Sequence, residues 1–185
     1  MIRQDDIETP RLLLRLIAPS ALRAGLDGDR RAVELSLDAT VPSDLIDEPD
    51  VLRYAEARLA EDIDYLPWSA RAILLKESRR MVGHVRFHSR PDPDYLHPYA
   101  RHAVEFGYVV FADCRRRGYA EEAVGGLMRW AGETHGVGRF VATIAPDNQP
   151  SIGLAAKLGF KRIGEHVDPV DGIEYVYLLD LSGRP

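Results

Sequence analysis

Cysteine is nearly absent from this 185-residue chain, where Cys114 stands alone. One thiol forbids an intramolecular disulfide and any cysteine-rich metal cage. Long apolar runs are missing too, and no stretch approaches the roughly 18 residues that a membrane span requires. The opening residues, MIRQDDIETPR, are acidic and lack a basic segment followed by an apolar one, so no secretory signal is read there. A basic excess is also lacking: 24 Lys and Arg stand against 29 Asp and Glu, a net charge of -5. Nucleic-acid binders usually carry the opposite balance or a long basic face. There is no internal repeat and no low-complexity tract. These absences lead to the expectation of a cytoplasmic protein with neither a membrane nor a nucleic-acid partner.

What remains is an ordinary globular composition, 45% hydrophobic and 29% charged. Its length suits one domain, 1–185, with a substantial core. RLLLRLIA (11–18) reads as a first strand, followed after PSAL by a helix with Ser20 as its cap. From about 28 to 64 the pattern is mostly helical, and Leu52, Ala55, Leu59, Ile63 and Leu66 form one apolar stripe. The period then changes. ARAILLKE (70–77) and MVGHVRFH (81–88) read as a hairpin over the turn ESRR, and HAVEFGYVVF (102–111) as a third strand. A helix over 119–135 follows, then a strand in RFVATIAP (139–146). PSIGLAAKLGF (150–160) reads as a short helix closed by Gly159 in the left-handed region. Two more strands, 159–167 and 173–181, finish the chain. The expected fold class is α+β: a single mixed central sheet, an antiparallel meander and then β-α-β-α-β, with helices on both faces.

The stretch DCRRRGYAEEAVGGLMRW (113–130) carries the strongest chemical signal. Ala120, Ala123, Val124, Leu127, Trp130 and Ala131 recur at helical spacing, so one face is buried. A strand that passes through a tight basic turn into a helix leaves backbone N–H groups at the helix start. With the helix dipole, that is a seat for an anion. Gly118 permits positive φ or close approach, and Ala120 keeps the first turn slim. Read alone, the same residues equally suit a solvated arginine cluster capping a core helix. A second signal, NQPSIGLAAKLGF (148–160), follows the next strand at its C-terminal end, the edge that ligand clefts of α/β sheets prefer.

Together these segments resemble the GCN5-related N-acetyltransferase (GNAT) superfamily, in particular its ribosomal-protein N-terminal acetyltransferase-like (RimJ/RimL-type) branch. Arg115, Gly118 and Ala120 match the acetyl-CoA turn of that family, and Asn148, Ser151, Lys157, Gly159 and Phe160 its downstream motif. EFGY (105–108) matches the strand before the turn, and TPRLLLR near the start the first strand of the branch. The resemblance implies an N-acetyltransferase that moves an acetyl group from acetyl-CoA, its co-substrate, directly to a primary amine. It implies pyrophosphate held on the turn formed by Arg115, Arg116, Arg117, Gly118, Tyr119 and Ala120. Pantetheine would run along Tyr108, Val109 and Val110, where a strand N–H can stabilise the developing oxyanion. Glu105 would act as the base, directly or through water, and Ser151 would protonate the departing thiolate. Asn148 would cap its helix and touch the cofactor, with Lys157 beside it. The acceptor is a protein N-terminus or a small-molecule amine, a homodimer is compatible with the branch, and no metal is implied. A CoA-binding domain without turnover is the rival reading. An RNA-binding module reading the arginines is a third, at odds with the acidic balance.

Two departures stand out. Arg116 occupies a place where relatives often carry glycine, and Glu121 one where many carry Ser or Thr; Glu121 is expected to face away from the anion. Other residues fit simpler roles. His84 and His88 lie about 13 Å apart on a strand, too far to share a metal. His97, His102, Asp92 and Asp94 fall in a proline-rich loop, read as solvated. That loop enters the Glu105 strand, so it is expected to shape the acceptor pocket with Tyr95 and Tyr99. Cys114 beside Arg115 suggests a lowered thiol pKa. Trp68 reads as core or pocket wall, and close packing against the sheet is the expected reason for Gly125 and Gly126 within a helix.

Overall fold

The structure, a computed structural model, describes residues 3, 5–168 and 172–183. Eight strands form a single mixed sheet: β1 (Ile7–Glu8), β2 (Leu12–Leu16), β3 (Arg71–Leu75), β4 (Met81–Phe87), β5 (Ala103–Val110), β6 (Arg139–Ile144), β7 (Lys161–Asp168) and β8 (Gly172–Asp180). They hydrogen-bond in the order β1-β2-β3-β4-β5-β6-β8-β7. The helices are α1 (Pro19–Leu26), α2 (Arg30–Leu37), α3 (Asp44–Asp47), α4 (Asp50–Glu61), α5 (Tyr119–His135) and α6 (Gln149–Lys157). Their contacts divide into two compact units. The first holds the described residues up to Phe87 with Tyr108–Leu127, and the second His88–Gly107 with the described residues from Met128 onward. Both β5 and α5 pass from one unit to the other.

In the first unit, β1, β2, β3 and β4 pair antiparallel in sequence order. β2 is buried on both faces. Leu13 joins Ala72, Leu74 and Met81 beneath α1, α2, α3 and α4. On the other face, Leu14 and Ile7 lie against Gly126 of α5. Arg15 sits in this strand almost fully buried because Asp6 receives it: Nε donates to Oδ1 at 2.9 Å and Nη2 to Oδ2 at 2.5 Å. A charge is tolerated at such depth only when it is paired and hydrogen-bonded.

Two boundaries differ from the sequence pattern. α1 begins at Pro19 with Ala18 in the cap position and no side-chain cap, so Ser20 already lies inside the helix. Proline at the first helical position has its φ preset and loses no needed N–H, and it moves the start ahead of the serine. α4 stops at Glu61 because Asp62 turns extended and accepts from the Asp64 N–H, opening a 3-10 turn. The apolar stripe therefore breaks: Leu52 and Ala55 are buried, Leu59 is half-buried, and Ile63 is exposed.

In the second unit, β5 pairs parallel with β6 over Ala103↔Arg139, Val104↔Phe140 and Glu105↔Val141. β6 then runs antiparallel to β8, and β8 antiparallel to β7. The last strand thus inserts between two earlier ones. One face of this unit carries Phe106 against Phe160, which follows α6, with ring centroids 5.7 Å apart. The other carries Ala103, Val141 and Val176 beneath Leu96, Tyr99 and Ala100.

Candidate active site

The basic turn belongs to the first unit. After β5 a 3-10 turn at Ala112–Cys114 leads to Arg115 in extended conformation. Arg116 (φ 60°) and Gly118 (φ 79°) are both left-handed, and α5 begins at Tyr119. Left-handed residues in a turn aim successive backbone N–H groups to one side, an anion-binding concavity. The first backbone bond of the helix, from the Glu122 N–H to Gly118 O at 3.1 Å, leaves the amides of Tyr119 and Ala120 ahead of it. Arg116 explains why glycine suits this place: a side chain at positive φ costs about 1–2 kcal/mol. Arg115, Arg116 and Arg117 are all exposed. The Nε of Arg115 donates to Val110 O at 3.0 Å, and Nη2 of Arg117 to Asp113 O at 3.3 Å. Of the strand positions expected to meet pantetheine, Tyr108 is half-buried, Val109 is 41% exposed and Val110 is buried.

Sequence reasoning missed the strut beneath this turn. Nη1 of Arg11 donates to Arg117 O at 3.0 Å, and Nε to Oε2 of Glu122 at 2.6 Å. The Arg11 guanidinium also lies 4.9 Å from the centre of the Tyr119 ring. Oε1 of Glu122 accepts from the Arg11 N–H and the Thr9 hydroxyl, each at 2.6 Å. Burial would raise the Glu122 pKa, but the bonds from Thr9 and Arg11 outweigh it and hold the carboxyl below the ordinary glutamate range. The motif TPRLLLR held the signal, read there only as a strand. Glu121 is half-buried.

Cys114 corrects an expectation. It is buried, and burial first, then its hydrogen bond to Asp113, raises the thiol pKa rather than lowering it. Arg115 directs its Nε away, to the Val110 carbonyl. Gly126 has the predicted close contact, since a methyl there would come 2.6 Å from Cγ2 of Thr9; around Gly125 nothing lies within 4 Å. Trp68 is core, edge-on to Phe87 at 5.2 Å.

The acidic candidate belongs to the second unit. Glu105 is 5% exposed, and the β5–β6 ladder ends at it although β5 runs on to Val110 and β6 to Ile144. Its Oε1 accepts from the Thr143 hydroxyl at 2.5 Å, and its Oε2 lies 3.4 Å from Nδ1 of His88. Burial would raise its pKa. The hydrogen bond and charge of His88, with bonds from Thr143 and Tyr95, overcome that and hold Glu105 below the ordinary range. The surroundings of this buried side chain thus favour its charged form. His88 was weighed only as a metal ligand. Its role was hidden because the strand register that sets it beside Glu105 (His88 N–H to Glu105 O, 2.8 Å) is not a local property of sequence.

Tyr95 reaches Glu105 from the loop between β4 and β5. Asp92 pins that loop by accepting the His102 N–H at 2.5 Å, and its carboxylate oxygens lie 3.2 Å from Nε2 of His97 and 3.3 Å from Nδ1 of His102. Among the described residues, no three His, Cys, Asp or Glu gather so as to hold a metal ion. Asn148 caps α6, its Oδ1 accepting from the Ser151 N–H at 3.2 Å. Ser151 is half-buried in the first turn, and Lys157 is exposed in the last. The second unit therefore holds Glu105, Asn148, Ser151 and Lys157, and the first the turn 115–120. His84 of β4 is buried, and burial with the charge of Arg86 pulls its pKa down to about 3.

The profile of the "Acetyltransferase (GNAT) domain" family matches residues 11–161, and the chain belongs to that family. Of curated relatives, YjdG of Bacillus subtilis (strain 168), an uncharacterized N-acetyltransferase, is 28% identical over 155 residues, covering 83% of this chain and 88% of its own. YnaD of the same organism, also an uncharacterized N-acetyltransferase, is 23% identical over 124 residues; the match spans 67% of this chain and only 65% of YnaD. Among solved structures, RimL, a ribosomal L7/L12 alpha-N-protein acetyltransferase in complex with coenzyme A, aligns with a TM-score of 0.64 at 16% identity, covering 96% of this chain and 98% of RimL.

Proposed function

We propose that the protein transfers the acetyl group of acetyl-CoA to a primary amine by direct attack in a ternary complex. The two units would work as one domain, a reading supported by a family profile that runs across both. The turn 115–120 fits a pyrophosphate: two left-handed residues orient amides, a helix dipole begins at Tyr119, and Arg115, Arg116 and Arg117 add positive charge. Tyr108, Val109 and Val110 would lie along pantetheine, with Asn148 and Lys157 as further contacts. The Ser151 hydroxyl would give its proton to the departing thiolate.

One observation carries the chemistry: Glu105 is buried, and Thr143 and His88 face its carboxyl oxygens, an arrangement that favours the charged form. The attacking nitrogen must lose a proton, because a free α-amino group titrates near ~8 and a lysine amine near ~10.4. Glu105 supplies the negative charge that draws that proton away. Similarity to an alpha-N-protein acetyltransferase supports a protein N-terminus as acceptor, in the cytoplasm, with a small-molecule amine as the alternative. A homodimer is compatible with this reading.

Incubation with acetyl-CoA and an amine panel, following thiol release, tests the proposal. The panel comprises peptides starting with Ser or Ala, free lysine, spermidine and an aminoglycoside. Turnover with at least one acceptor is expected, falling at least ~100-fold in Glu105→Gln. Thermal stabilisation by acetyl-CoA without release of thiol from any acceptor would instead mark a CoA-binding domain.

A further inference from the structure

Strands β5 and β6 stop pairing just where the acidic candidate sits. Their parallel ladder ends at Glu105↔Val141, while β6 continues along β8 with Thr143 opposite Val176. Beyond the end of that ladder, the Thr143 hydroxyl reaches back and donates to Oε1 of Glu105 at 2.5 Å. The other oxygen, Oε2, faces Nδ1 of His88 at 3.4 Å. A proton bound for Oε1 therefore finds Thr143 in its path. Glu105 is 5% exposed, whereas Thr143 is half-buried, so an incoming amine meets the hydroxyl more readily than the carboxylate. A hydroxyl that donates its one hydrogen keeps lone pairs with which to accept another. Pairing with β8 sets Thr143 on a strand rather than a loop, the kind of support that keeps a reacting group in place.

Building on the acetyl-transfer reading above, we infer that the Thr143 hydroxyl touches the acceptor amine and relays its proton to Glu105. The amine nitrogen forms its bond to the acetyl carbon as the carbon–sulfur bond breaks. The N–H proton passes to Oγ of Thr143 while the hydroxyl hydrogen passes to Oε1 of Glu105, so Thr143 ends as it began. The thiolate takes a proton from the Ser151 hydroxyl. Solvent then removes the proton from Glu105 and returns one to Ser151. A base can act through a single intervening group as well as by direct contact, and here a fixed hydroxyl takes the place that a bridging water would have. The relay lets a side chain as deeply buried as Glu105 serve an amine that need not reach it.

Three variants of the full chain, assayed across pH with an acceptor that the wild type turns over, test the inference. Thr143→Val replaces the hydroxyl by a methyl. It is expected to lower kcat about 100-fold at every pH, with KM for acetyl-CoA within about twofold of wild type. Thr143→Ser keeps the hydroxyl and should stay within about threefold of the wild-type kcat. Thr143→Ala should repeat the loss and carries the test if the valine variant does not fold. A merely supporting bond behaves differently. Removing a donor from the charged form lets the Glu105 pKa rise, so the acidic limb of the pH profile moves upward and the rate above it returns to the wild-type plateau. That return in Thr143→Val or Thr143→Ala, with Glu105→Gln still inactive, overturns the relay and leaves Glu105 as the direct base. A loss in Thr143→Ser as deep as in Thr143→Val also overturns it. Wild-type rates in Glu105→Gln, or no turnover by wild type on any amine, remove the proposed reaction and the relay with it.

Discussion

Two adjacent glycines in α5 show how one residue type answers to different forces. Gly126 lies where a methyl would meet Cγ2 of Thr9 at 2.6 Å, whereas the space around Gly125 is open. Each glycine costs a helix interior roughly 1 kcal/mol relative to alanine. Gly125→Ala should therefore raise stability by about 1 kcal/mol. Gly126→Ala should lower it, because Thr9 also donates to Glu122 and cannot move without loosening that bond. Chemical denaturation of the two variants distinguishes them by sign; equal shifts would mean that α5 and β1 do not meet as described. The sequence alone treats these glycines as equivalent, since nothing local says which one faces β1. It is equally silent about His88. Motif spacing singles out Glu105 and Ser151 as candidates, but the residues that surround Glu105 are set by cross-strand register.

At the scale of elements, α5 is the most legible part of the chain: its apolar spacing from Ala120 to Ala131 marks a helix, read over about 119–135 and found at Tyr119–His135. The start of α1 is displaced by one proline, and β1 escapes notice because it is only two residues long. What holds the start of α5 comes from a distant segment: Arg11 ties the turn at Arg117 O to Glu122 and stacks on Tyr119. Arg11→Ala should lower stability by about 1 kcal/mol, the discounted value for a pair whose arginine is half exposed. It should weaken acetyl-CoA binding about tenfold by loosening the amides of the turn. Glu122 has a lowered folded pKa, so its stabilising contribution is full above its unfolded value and is lost as pH falls through the folded one. The difference in melting temperature between wild type and Arg11→Ala should therefore be widest near neutral pH and shrink below about pH 4. An undiminished gap at pH 3, or unchanged cofactor affinity by calorimetry, would remove Arg11 from this role.

For the whole molecule, the α+β class and the antiparallel meander follow from the alternation of period along the chain. The insertion of β8 between β6 and β7 does not, because a strand pattern marks which residues pair without naming their neighbour. Net charge is a property of this same scale, and here it opposes the local chemistry. A chain of charge -5 repels an anionic cofactor at long range, so binding must come from the field of one small region. In the proposed function the three exposed arginines at 115–117 would provide it, and the turn amides would provide the geometry. The two contributions respond differently to salt: exposed charges are screened over about 10 Å at 0.1 M, but hydrogen bonds from backbone amides are not. Replacing Arg115, Arg116 and Arg117 together by alanine should raise the Kd for CoA roughly 100-fold at low salt. Between about 0.05 and 0.5 M salt the wild-type Kd should climb toward that of the variant, whose own dependence should be shallow. Parallel salt slopes in calorimetric titrations would mean that these arginines face solvent and not the diphosphate, leaving the amides of Arg115 to Ala120 to hold it alone.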